Sequence, residues 1–388
     1  MLQQYILKLI ACITLLLYCN NKVLAQADSL KNFSANEDSA DNTKSQLVFG
    51  VSANYGFVFA HSIHIQNTKG AKPRGLELEI AEQISNNKAF QLFRCYPRTG
   101  VLFSYIDFDS ELLGSSFSAS YFLQPEYRLG NHVRAYLRGV VGLSYLTNPH
   151  DSVTNTENQT YSGHVNIFLQ LGAGFSYNIG NRINISAAAN FFHNSNGGFK
   201  EPNRGLNYPN VSLGINYFTR TNLLPKYKVV KDTSWKRIPV KFDAGILYSP
   251  KPGYGPHLNP ERKFVIGAMF QASKRISNIS AFTLAAEGYY DAAMRSVKVH
   301  IGDSTSSFLA GVLVGHEFIF NKFIFSQQLG VHVYKRTEAY NLYNPIYRTL
   351  YHRWGLRYEI TPHIYAGFNF LAHAQIADFI DMRVLYKF

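Results

Sequence analysis

From Leu47 to the last residue the chain alternates apolar residues with polar or small ones at a period of two. In Val165–Asn178 one parity reads Val165, Ile167, Leu169, Leu171, Ala173, Phe175, Tyr177, and the other Asn166, Phe168, Gln170, Gly172, Gly174, Ser176, Asn178. Val133–Tyr145 and Val51–Phe59 repeat the pattern, the second with Val51, Ala53, Tyr55, Phe57 and Phe59 on its apolar parity. A period of two sends successive side chains to opposite faces, so each segment predicts a strand with one apolar and one polar or small face. About sixteen segments fit this template. Half lie between Leu47 and Thr219, half between Ile238 and Phe388, and the basic stretch 220–237 connects them.

These strands reach or exceed the roughly 9–11 residues that a tilted strand needs to cross a bilayer, against about 5–6 in a typical soluble sheet. Aromatic residues cluster near the ends of the apolar faces, as interfacial girdles do. The final segment, Ile376–Phe388, ends in Tyr386-Lys387-Phe388 and resembles the terminal aromatic strand that directs insertion into outer membranes. The predicted class is therefore all-β, an antiparallel transmembrane β-barrel of the bacterial outer-membrane type, with about 16 strands in two 8-strand halves. One large barrel is the expected arrangement, because two barrels in one chain are unusual; two tandem small barrels are the alternative.

The first residues change the picture of where the chain works. Met1–Lys8 is a short segment ending in a lysine, Leu9–Cys19 is an apolar run too short for a membrane-spanning helix, and Val23-Leu24-Ala25 offers a cleavage site. Residues 1–25 are read as a signal peptide and 26–46 as a disordered periplasmic lead. The first β-barrel half is assigned to 47–219, the connector to 220–237 and the second half to 238–388. Loss of the segment with Lys8 and Lys22 takes the formal charge of +13 down by two, to +11. No nucleic-acid motif accompanies that charge, so the membrane is the expected partner and nucleic acid is not. Cys95 stands alone once Cys12 and Cys19 leave, so no disulfide framework is expected. Charged residues make up 16% of the chain, well under the roughly 25% usual for soluble domains.

No HExxH, CxxC, P-loop, GxSxG or GxGxxG motif occurs, which leaves metal and nucleotide chemistry without support and no cofactor expected. One stretch stands apart. Ile185, Ala187, Ala189 and Phe191 form an apolar, lipid-facing parity, and His193 and Ser195 continue it just before Asn196-Gly197-Gly198 opens a loop. Asn207 lies on the apolar parity of the next strand, with Val211, Leu213 and Ile215, where an antiparallel neighbour could reach His193. Nucleophile, base and orienting amide then share one surface, as in a hydrolytic triad. The bland reading is a pair of rim residues satisfied by water.

The run HNSNGGFKEPNRGLN, from His193 to Asn207, resembles the signature of the PagL-type lipid A 3-O-deacylases, outer-membrane barrel esterases. Their pattern is His-x-Ser-Asn followed by Pro-Asn-x-Gly-x-Glu; here it reads His193, Ser195, Asn196, Pro202, Asn203, Gly205 and then Asn207. The resemblance extends over about Leu47 to Thr219. It implies that Ser195 attacks an acyl ester, His193 moves the proton, and Asn196 and Asn203 hold the oxyanion, without a metal. Asn207 departs from the family's glutamate: it can still accept an imidazole N–H, but it brings no charge.

The leading expectation is an outer-membrane esterase that hydrolyses a fatty acyl ester of lipid A, with lipopolysaccharide as substrate and outer-membrane lipid as surroundings. The alternative is a non-enzymatic pore or structural barrel that keeps a deacylase-like scaffold. With the amino terminus in the periplasm, the loop 196–206 faces outside. The first outer loop would then present Lys69, Lys72 and Arg74, and one in the second half Lys251, His257, Arg262 and Lys263, as cations suited to lipid A phosphates. The second half is expected to hold no second site: His373 aligns with His193, but Gln375 stands where a serine is needed.

Overall fold

The computed structural model describes residues 45–198, 200–255, 260–335, 349–373 and 376–388. The expected signal peptide, nearly all of the expected lead, His257 and Gln375 lie outside them. Among the described residues the first half contributes β1 (Ser45–Gly56), β2 (Arg74–Ile84), β3 (Tyr96–Asp107), β4 (Ser115–Arg128), β5 (Val133–Leu146), β6 (Val165–Asn178), β7 (Ile183–Ser195) and β8 (Leu206–Phe218). The second contributes β9 (Lys241–Tyr254), β10 (Pro260–Arg275), β11 (Ser280–Asp291), β12 (Phe308–Phe320), β13 (Phe323–Tyr334), β14 (Leu350–Glu359), β15 (Ile364–His373) and β16 (Ile376–Lys387). Two short helices, α1 (Asn87–Phe93) and α2 (Ala292–His300), sit in connections between strands.

The expectation of one large barrel is overturned: each half closes on itself. β8 returns to β1 in an antiparallel register from Val48↔Phe218 to Gly56↔Asn210, and β16 returns to β9 from Met382↔Tyr248 to Lys387↔Asp243. Alternation along a strand decides which face each side chain takes. It carries no instruction about whether the free edge of the eighth strand pairs with the first or with the ninth. The two walls touch at both ends. Phe93 packs on Phe320 with ring centroids 5.9 Å apart, and a methyl at Gly197 would lie 2.7 Å from Ile380 Cδ1.

The outward parity is predominantly apolar, as Leu47, Phe49 and Val51 on β1 and Leu169, Leu171 and Phe175 on β6 show. The inward parity fills each lumen. An eight-stranded barrel is just wide enough for its side chains to occupy the interior, and here ion pairs do so. In the first barrel Arg98 lies 3.3 Å from both Glu79 and Glu126, Arg134 2.8 Å from Glu126, and Arg138 2.5 Å from Glu79. In the second, Arg353 and Arg383 clamp Glu287 and Asp381, and Arg357 bridges Asp243 and Glu317. Removing one member of such a set strands an uncompensated charge in a dry interior, which costs about 3–5 kcal/mol.

The connector closes the first barrel at the mouth opposite the long loops. Arg134 Nη2 donates to the Asn222 carbonyl and Tyr96 Oη to the Pro225 carbonyl, and Asn222 Nδ2 donates to Ile183 O at 3.0 Å. Of the expected loop cations, Lys69 and Lys72 are exposed. Arg74 instead pairs with Asp107 and Asp109 at 3.6 Å. Lys251 is not a loop residue: it lies in β9, buried inside the second barrel between Asp291 and Asp378 at 2.8 and 2.5 Å.

Candidate active site

β7 ends at the rim that carries the long loops, and its last outward-facing residues are Phe191, His193 and Ser195. Between them Phe192 and Asn194 point inward and are fully buried. On one side His193 is registered opposite Leu169 of β6, and Ser195 opposite Ile167. On the other side His193 is registered directly opposite Asn207 of β8. That register turns three side chains 14 residues or less apart in sequence into one bonded set. His193 Nε2 lies 2.9 Å from Ser195 Oγ, and His193 Nδ1 lies 2.5 Å from Asn207 Oδ1. An amide oxygen only accepts, so Nδ1 carries the proton and Nε2 presents its lone pair to the serine hydroxyl.

The lumen side of the same strands holds this geometry rigid. Phe192 stands edge-on to Phe168 at 5.3 Å and to Tyr208 at 5.2 Å, and Tyr208 stands edge-on to Phe108 at 5.3 Å. Asn194, buried between His193 and Ser195 in sequence, donates to Tyr208 Oη at 2.9 Å and accepts from Ser144 Oγ at 2.6 Å. A satisfied polar group within a packed aromatic plug fixes the strand end, and with it the two outward side chains that flank Asn194.

The loop after Ser195 is shaped by glycine where no other residue fits. Gly197 and Gly198 take φ of 68° and 83°. Gly205 has φ 78°, and a methyl there would lie 2.9 Å from His193 Cε1. The site therefore needs glycine at 205 twice over, for the left-handed backbone and for the imidazole's space. Asn196 ties this loop together. Its Oδ1 accepts from Gly198 N at 3.0 Å, its Nδ2 donates to Lys200 O at 2.7 Å and to Ser162 Oγ at 3.3 Å, and its backbone N–H donates to Asn203 Oδ1 at 3.1 Å. Asn203 in turn donates its backbone N–H to Glu201 Oε2 at 2.9 Å. The nearest acid in sequence is thus held by Asn203, and no carboxylate pairs with His193 among the described residues.

One residue of the cluster escaped the sequence reading. β1 runs on past its last assigned residue alongside β8, with Phe59 N donating to Asn207 O at 2.8 Å. Two residues later His61 faces Asn207: its Nδ1 lies 3.0 Å from Asn207 Nδ2, and its Nε2 lies 3.0 Å from Arg204 O. Its partner is 146 residues away, and the period-two pattern stops short of it, so nothing local pointed there. His373, aligned with His193 by sequence, faces the opposite way. It is buried in the second lumen, 3.9 Å from Asp378 and with its ring 5.8 Å from that of His332. Among the described residues no cluster of three or more metal-binding side chains occurs.

Residues 75–216 match the family described as lipid A 3-O-deacylase (PagL), and residues 241–388 match the one described as acyloxyacyl hydrolase, C-terminal domain. Among solved structures the chain is similar to the outer membrane enzyme PagL at 18% identity, over 42% of this chain and 97% of that one, with a TM-score of 0.30. It is also similar to Neisserial surface protein A, at 13% identity over 45% of this chain and 97% of that one, with a TM-score of 0.31. The N-terminal β-barrel domain of Pseudomonas aeruginosa OprF gives 12% identity over 45% of this chain and 100% of that one, with a TM-score of 0.27. No curated protein sequence matches the chain. The first family match runs from β2 to β8, seven of the first barrel's eight strands, and the second from β9 to the final residue, all eight strands of the second barrel. This chain is a bacterial outer-membrane β-barrel protein whose first barrel matches the PagL-type lipid A 3-O-deacylase family and whose second matches the C-terminal domain described for acyloxyacyl hydrolases.

Proposed function

We propose that the first barrel hydrolyses a fatty acyl ester of lipid A, with Ser195 as nucleophile, His193 as general base and Asn207 as the residue that orients it. The observation that carries this reading is the bonded path Ser195–His193–Asn207 on the lipid-facing rim. His193 Nε2 takes the Ser195 Oγ proton as Oγ attacks the acyl carbonyl carbon. The tetrahedral oxyanion collapses, the ester C–O bond breaks, and the imidazolium passes its proton to the departing sugar oxygen, which leaves as the hydroxyl. Water then attacks the acyl-serine by the same route and releases the fatty acid. Asn207 leaves the imidazolium without a full counter-charge, which lowers the rate relative to a glutamate at that position.

Asn196 and Asn203 are the proposed oxyanion donors, each such donor contributing on the order of 10²–10³ in rate. Asn203 Nδ2 makes no bond to another described residue and is available, whereas Asn196 Nδ2 must exchange the Lys200 carbonyl for the oxyanion. The exposed apolar side chains around the pair, Phe57, Phe59, Leu169 and Phe191, give an acyl chain a surface at the depth of the bilayer, while the sugar lies above. Mass spectrometry of lipid A from cells carrying the wild-type chain or Ser195→Ala tests the proposal. The wild type should yield species lacking one acyl chain and Ser195→Ala should not; identical spectra would leave the chain as a non-enzymatic barrel.

A further inference from the structure

The Ser195–His193–Asn207 path does not end at Asn207. Asn207 Nδ2 lies 3.0 Å from His61 Nδ1, and His61 Nε2 lies 3.0 Å from the Arg204 carbonyl. A carbonyl oxygen cannot donate, so the Arg204 contact places the His61 proton on Nε2 and leaves Nδ1 as an acceptor. Nδ1 also lies 3.3 Å from the Phe59 carbonyl, an acceptor that competes for the proton, but the Arg204 contact at 3.0 Å is the shorter of the two and keeps the neutral ring's proton on Nε2. Asn207 must therefore turn its N–H toward His61 and its oxygen toward His193.

That choice decides the chemistry of the pair. With the Asn207 amide reversed, its N–H would face His193 Nδ1, the imidazole proton would move to Nε2, and His193 would meet Ser195 as a donor instead of a base. A glutamate at 207 accepts from His193 with either oxygen and needs no such instruction. An asparagine does. The Arg204 carbonyl that starts the sequence is itself held in place, since Arg204 N donates to Gln159 O at 3.1 Å and Gly205 N to Thr160 O at 2.8 Å. We propose that His61 is a positioning residue of this site: it fixes the amide of Asn207, and through it the base tautomer of His193, standing in for the selectivity that a carboxylate at 207 would provide.

This inference rests on the esterase reading of Ser195 and His193, and its test separates the two. Fatty acid release from lipopolysaccharide would be measured for refolded, heat-modifiable wild type, Ser195→Ala, His61→Phe, His61→Gln, Asn207→Glu and the double variant His61→Phe/Asn207→Glu. Phenylalanine keeps a ring against Phe59, whose centroid lies 6.3 Å from that of His61, but offers no acceptor. His61→Phe should lower kcat on the order of 10–100-fold with KM little changed. His61→Gln should recover most of the rate, because one amide can accept from Asn207 and donate to Arg204 O. In the Asn207→Glu background His61→Phe should cost less than about twofold. An equal loss in both backgrounds, an effect on KM alone, or no effect in the wild-type background would each overturn the role of His61. Activity in Ser195→Ala would overturn the esterase reading instead.

Discussion

The two barrels share a plan and part company at a single rim. Each has eight antiparallel strands, an apolar outer face and a lumen packed with buried ion pairs. Each carries a histidine at or close to the end of its seventh strand: His193 on β7, two residues before Ser195, and His373, the last residue of β15. In the first barrel odd-numbered residues of that strand face outward, so His193 meets Ser195 and Asn207 at the lipid boundary. In the second, odd-numbered residues face inward, Asn369 and Leu371 are buried, and His373 joins His332 and Asp378 in the lumen. The hairpins differ as well: ten residues separate β7 from β8, with the glycines that shape the site, whereas two separate β15 from β16. A one-residue change of phase turns the same residue type from a base at the membrane surface into part of an interior packing.

The sharpest way to break this contrast is to remove the histidines and the serine in turn. Ser195→Ala and His193→Ala should each lower ester hydrolysis on the order of 10³-fold or more, because the pair acts as a unit. His373→Ala should leave the rate of a folded preparation within about twofold, as read by single-turnover kinetics. The walls, in contrast, should behave alike. Leu171→Arg on β6 and Leu284→Arg on β11 both place a cation on the lipid face, and each should destabilise by about 2–4 kcal/mol in denaturant titrations in lipid. Leu169 is unsuited to that comparison, since its register opposite His193 sets it at the rim.

A smaller effect belongs to the loop between β7 and β8. Gly205→Ala adds strain at φ 78° and drives a methyl against His193 Cε1, so activity should fall about 10-fold while heat modifiability on gels is retained. Smallest is the expected gain: Asn207→Glu supplies the charge that the imidazolium lacks and should raise kcat several-fold. A fall in rate there would mean that Asn207 does more than orient the base.

Much of this was legible from alternation alone. Ile185, Ala187, Ala189 and Phe191 set the parity that carries His193 and Ser195 outward, and Val211, Leu213 and Ile215 do the same for Asn207. Closure was not legible, because the partner of β8's free edge is a long-range choice that leaves no local pattern. Lys251 was misplaced because a lysine near a turn reads as solvated until two buried aspartates are seen around it. His61 was missed for a related reason: it lies beyond the last alternating residue of β1, and only barrel closure brings it to Asn207. The alignment of His373 with His193 was the misleading signal. Asn369 stands where Ala189 faces lipid, and that polar residue marked the reversed phase.

The most direct test of the account is the fatty acid released when refolded wild type, Ser195→Ala and His373→Ala are incubated with lipopolysaccharide in detergent containing a chelator. The account predicts equal release by wild type and His373→Ala and none above background by Ser195→Ala. Release by Ser195→Ala equal to that of wild type would contradict it.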